Sequence, residues 1–109
     1  MLVAEDTLEA MTQAIVDEVH PELVLLFGSQ ARGEASEDSD VDFIVVLPDH
    51  IEDFEGKVRT SGKLYRLLAQ FETPVDVLLY RRAEFDRWKG ARNHCIGRAL
   101  REGRVLYER

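Results

Sequence analysis

Asp40 and Asp42 are separated only by Val41, and they stand at the mouth of the apolar run Phe43-Ile44-Val45-Val46-Leu47. Side chains alternate along a strand, so both carboxylates point to the same side. With ten residues between it and Asp40, the step Gly28-Ser29 closes an earlier apolar run, Leu23-Val24-Leu25-Leu26-Phe27. Glycine lets backbone approach a ligand closely, and a serine hydroxyl can bond a phosphate oxygen. A third carboxylate, Asp76, lies near the start of Val75-Asp76-Val77-Leu78-Leu79-Tyr80. An acid inside an apolar strand is costly to bury unless it is paired or bound to a metal. Three carboxylates suit Mg²⁺, which takes oxygen ligands and shares them with substrate phosphates. Two ions suit the site better than one, because in two-metal phosphoryl transfer one activates the attacking oxygen and the other steadies the leaving group.

Such residues need elements to hold them. Leu8, Met11, Ile15 and Val19 recur at helical spacing and predict an amphipathic helix over about 7–19, capped by Asp6 or Thr7 and ended before Pro21. Strands follow at about 23–27, 41–47 and 75–80, bounded by turn residues. Gln30 to Glu34 is long enough for one helical turn in the intervening loop. The longest helix is expected over about 52–71, with Phe54, Val58, Leu64, Tyr65, Leu67, Leu68 and Phe71 on its apolar face. A short helix over 83–88, a helix over 93–102 stopped by Gly103, and a last strand over 104–107 complete the chain. Tyr65, Phe85 and Trp88 are read as core.

Bringing the polar residues together fixes the topology. Gly28-Ser29 ends the first strand and Asp40 and Asp42 begin the second, so a shared site makes these strands antiparallel. Asp76 starts the third, which must then run parallel to the second, with the 52–71 helix as crossover. The expected fold class is α/β (α+β): a mixed β-sheet with flanking helices.

The 109 residues predict a single domain, 1–109, with one core. A net charge of −7 disfavours direct nucleic-acid binding, which phosphate neutralisation dominates. That charge is uneven: residues 81–109 carry nine Lys and Arg against four Asp and Glu. This basic segment could meet a nucleotide or an acidic partner, or simply be a set of solvated helix faces. Cys95 is the single cysteine, so no intrachain disulfide forms. No segment reads as a signal peptide or membrane span, and a cytoplasmic location is expected. His20, His50 and His94 lack zinc-ligand spacing. The Asp38–Asp42 run fails as an EF-hand, and no Gly-x-Ser-x-Gly elbow supports a hydrolase.

Gly28-Ser29, ten residues and Asp40-x-Asp42 together resemble the signature of the polymerase β-type nucleotidyltransferase superfamily. The Ala31-Arg32-Gly33 filling, Val75-Asp76-Val77 and the ending Ile96-Gly97-Arg98-Ala99-Leu100-Arg101-Glu102-Gly103-Arg104-Val105-Leu106-Tyr107 resemble its minimal nucleotidyltransferases. These are small proteins often paired with a HEPN-domain ribonuclease as a type VII-like toxin-antitoxin module. The resemblance implies a minimal nucleotidyltransferase fold that moves AMP from ATP to a protein hydroxyl, a tyrosine of the HEPN toxin, with the chain acting as antitoxin in a hetero-oligomer. It implies that Asp40, Asp42 and Asp76 are catalytic and metal-binding, that Gly28 and Ser29 hold nucleotide phosphate, and that Mg²⁺ is required. Arg32 is a further candidate for phosphate contact. Two other readings remain open: an antitoxin that acts by binding alone, and a transferase for a small molecule such as an aminoglycoside.

Overall fold

The computed structural model describes residues 4–28, 31, 40–49 and 54–109, without the side chains of Phe54 and Cys95. In order they form α1 (Glu5–Val19), β1 (Leu23–Phe27), β2 (Val41–Leu47), α2 (Phe54–Leu68) with a 3₁₀ turn (Ala69–Phe71), β3 (Val75–Arg81), α3 (Arg82–Trp88), α4 (Cys95–Glu102) and β4 (Arg104–Glu108). The sheet order is β3-β2-β1-β4. β1 is antiparallel to both β2 and β4, and β2 runs parallel to β3. The mixed sheet and the α2 crossover therefore match the topology expected from co-locating the polar residues.

Strand alternation builds two cores. Val24, Leu26, Val41, Phe43, Val45 and Val77 face α1 and α2, where they meet Met11, Ile15, Leu64 and Leu68. Leu23, Leu25, Ile44 and Val46 face the other way, onto Phe85 of α3 and Ile96 and Ala99 of α4. Burial on both faces explains why β1 and β2 read as continuous apolar runs.

Several local expectations need correction. The first helix starts at Glu5, and neither Asp6 nor Thr7 caps it; Ala4 is the N-cap and bonds through its backbone carbonyl to Leu8 N–H. α4 starts at Cys95, because His94 Nδ1 accepts the Ile96 N–H at 3.1 Å and so caps the helix. Trp88 and Tyr65 are not core: each is 38% exposed, while Phe85 is buried as expected. Trp88 stacks on His94 with ring centroids 4.7 Å apart. Val58 leaves the apolar face of α2 and is exposed. The 30–34 turn lies outside the described residues apart from Ala31.

Much of the basic C-terminal segment is used internally. Arg104 donates to both carboxylate oxygens of Glu5, tying β4 to α1. Arg82 pairs with Asp86 at 3.2 Å, and Arg109 donates to the His20 carbonyl. Exposed pairs of this kind contribute little each, so they account for the charge pattern more than for stability.

Gly97 lets α4 lie against the preceding loop. A Cβ there would fall 2.0 Å from the Ala91 carbonyl oxygen, which is backbone and has little room to yield. Gly97→Ala is expected to destabilise the fold by roughly 1–3 kcal/mol through overpacking, despite alanine's better helix propensity. Urea denaturation checks this; unchanged stability would show that the 91–97 segment can shift freely.

Candidate functional site

The register of the sheet sets the acidic residues side by side. Asp42 is paired with Phe27 of β1 on one side and with Asp76 of β3 on the other. Adjacent strands lie about 4.8 Å apart, and residues in register point to the same face. Asp42 and Asp76 share the face of Ile44 and Leu78, above the core formed with α3 and α4. Asp40, immediately before β2, continues that alternation. Asp40 and Asp76 are exposed and Asp42 is half-buried.

Gly28 follows Phe27 and closes the site from the β1 side. Its φ of +74° belongs to the left-handed region, which side chains make costly. A Cβ on Gly28 would stand 2.4 Å from Asp42 Oδ2. The missing side chain is thus what admits the carboxylate. Ser29 and Arg32, also expected to contact phosphate, lie outside the described residues.

The electrostatics of Asp42 follow from this packing. Burial raises its pKa above the ordinary value, and the charges of Asp76 and then Asp40 raise it further. A group with a raised folded pKa contributes its full stability below the ordinary Asp value and loses it as pH rises through the folded value. At neutral pH the Asp42 charge therefore costs stability. Asp42→Asn is expected to raise the Tm of the protein in EDTA at pH 7, with the difference narrowing as the pH approaches 4. A lower Tm for the variant in calorimetry at pH 7 would show that Asp42 is held by attraction instead.

The donor set is all carboxylate oxygen, which fits a hard divalent ion, and Asp42 Oδ2 lies against Gly28, where a side chain would displace it. Among the described residues no three His, Cys, Asp or Glu side chains close into a metal cage. A Mg²⁺ ion held by carboxylates this open would keep several ligand positions for water and phosphate.

Sequence reasoning missed Tyr65. Its hydroxyl donates to Asp76 Oδ1 at 2.8 Å and accepts the Val77 N–H at 2.9 Å. Burial raises the phenol's pKa; the Val77 N–H opposes this, while the bond to Asp76 and the nearby acidic charges add to it. The only signal in the sequence was a tyrosine on the crossover helix one residue after Leu64, too common a pattern to point to a site.

Solved structures share the fold. A candidate nucleotidyltransferase from Sulfolobus solfataricus aligns over 95% of this chain and 79% of its own, with a TM-score of 0.63 and 20% identity. A toxin-antitoxin structure with AMP-PNP aligns over 93% of this chain and 73% of its own, with a TM-score of 0.60 and 20% identity. A mutant of the toxin-antitoxin pair MntA-HpeT aligns over the same shares, with a TM-score of 0.58 and 18% identity. No curated protein matches the chain. The model of the nucleotidyltransferase domain matches residues 8–101, from α1 through the three aspartates to the end of α4. By that match, the chain belongs to the nucleotidyltransferase domain family.

Proposed function

We propose that the protein transfers AMP from Mg²⁺-bound ATP to a hydroxyl of a partner protein, a tyrosine of a HEPN ribonuclease, and thereby acts as the antitoxin of that partner. The observation that carries this reading is the pairing of Asp42 with Asp76 on adjacent parallel strands, with Gly28 admitting the Asp42 carboxylate against the end of β1. The fold shared with toxin-antitoxin structures, one of them holding AMP-PNP, supports a nucleotide and a protein partner. The MntA-HpeT mutant carries two Asp-to-Glu changes two positions apart, the spacing of Asp40 and Asp42 here.

Asp40 and Asp42 would hold Mg²⁺, with Asp76 as the third carboxylate. The ion, when bound, supplies charge neutralisation at the phosphates and favours ionisation of the acceptor hydroxyl. Gly28 and Ser29 would form the turn that holds the phosphate oxygens. The acceptor oxygen bonds to the α-phosphorus while the bond from that phosphorus to the α–β bridging oxygen breaks. Pyrophosphate leaves, and Asp76 takes the hydroxyl proton.

Mass spectrometry of the partner that copurifies with the chain tests the proposal. A gain in steps of one AMP, absent when the chain carries Asp40→Ala/Asp42→Ala, would identify both acceptor and nucleotide. A partner that is silenced without any mass change would replace this reading with neutralisation by binding. Pyrophosphate release with ATP and an aminoglycoside alone would move the acceptor to a small molecule.

A further inference from the structure

Tyr65 occupies a place that two strong constraints define. On α2, its neighbour Leu64 and nearby Leu68 are fully buried, so the turn carrying Tyr65 is fixed against the sheet. At the other end of the ring, the hydroxyl reaches the outer edge of β3. Among the described residues β3 is an edge strand, paired only with β2. The N–H of Val77 is accordingly met by a side chain, the Tyr65 oxygen, at 2.9 Å. That oxygen keeps its own proton for Asp76 Oδ1, 2.8 Å away. One phenol thus ties the backbone just after Asp76 and the Asp76 carboxylate to the same point.

Without this bond, Asp76 would be an exposed carboxylate on an edge strand, free to turn about two torsions. With it, Oδ1 is held and Oδ2 is left as the oxygen open to an ion or a proton. We propose that Tyr65 is a positioning residue: it presents Asp76 to the divalent ion and nucleotide shared with Asp40 and Asp42. The inference rests on the nucleotidyltransferase reading of those aspartates. Partners that orient ligating carboxylates are worth about 10- to 100-fold in metal affinity or activity when removed. Covering an exposed strand edge is the competing role of Tyr65, and it would change stability alone.

Both roles predict some loss of Tm in Tyr65→Phe, which keeps the ring and loses the hydroxyl, so binding must separate them. Mn²⁺ affinity in the presence of AMP-PNP can be measured by electron paramagnetic resonance for wild type, Tyr65→Phe, Asp76→Asn and the double variant. The expected result is a loss of about tenfold or more in Tyr65→Phe and no further loss when that change is added to Asp76→Asn. An unchanged affinity in Tyr65→Phe beside a weakened Asp76→Asn would overturn the role of Tyr65 and leave the site intact. Equal, additive losses in both backgrounds would also overturn it, because Tyr65 would then act independently of Asp76. Wild-type affinity in Asp76→Asn, or no binding by the wild type, would remove the reading of the site itself and the Tyr65 assignment with it.

Discussion

Replacing Asp40 and Asp42 together by alanine is expected to lower nucleotidyl transfer at least about a thousandfold. A metal ion at a transferring phosphoryl group supplies several kcal/mol of transition-state stabilisation, and about 4 kcal/mol corresponds to three powers of ten in rate. The double variant loses two of the three carboxylates that would hold the ion, including the half-buried Asp42 at the centre of the group. The fold should survive, because the apolar residues that follow in β2, Phe43 and Ile44, are untouched and fully buried. Removing the two charges also relieves repulsion around Asp42, so the Tm in EDTA should not fall. Single-turnover transfer measured with ATP and Mg²⁺ checks the rate, and calorimetry checks the fold. Activity within tenfold of wild type in a folded variant would show that these aspartates do not hold the catalytic metal.

Gly28→Ala is expected to cost both stability and activity, for separate reasons. At φ +74° an L-residue pays about 1–2 kcal/mol for the left-handed conformation. The new methyl would also meet Asp42 Oδ2 at 2.4 Å, so the carboxylate must turn away or the loop must move. Displacing a reacting group by about 1 Å can cost on the order of a hundredfold in rate. We therefore expect a stability loss of about 1–2 kcal/mol in urea and a rate roughly a hundred times lower, with nearly all protein still folded. A Gly28→Ala protein that lost stability but kept its full rate would show that Asp42 can adopt its working position without the space that Gly28 leaves.

The contrast between Asp42 and Tyr65 shows how far a sequence reaches into a site. The position of Asp42 was legible because it is set locally. Period-two alternation set it on the same side as Asp40, and the turn at Gly28 lay a fixed number of residues before it. Tyr65 reads as core in the sequence because it shares the helical spacing of Leu64 and Leu68. Its ring instead sits at the border of α2, and its role depends on β3 being the edge strand. Val58 and Trp88 show the same limit: each has the type and spacing of a core residue, yet each is exposed.

By itself the sequence determined the strands, the crossover helix, the placement of Asp42 and Asp76 on neighbouring strands, and the requirement that β1 run against β2 while β3 runs parallel to β2. Spacing and alternation are properties of neighbouring residues, and one shared site is enough to orient three strands. The tertiary structure alone decided that β4 pairs with β1, that Glu5 meets Arg104 from the far end of the chain, and that His94 caps α4. It also decided that the phenol of Tyr65 closes on Asp76. These contacts depend on which edges and faces remain open after the sheet has assembled, and that is settled by packing among distant segments, where sequence periodicity carries no information.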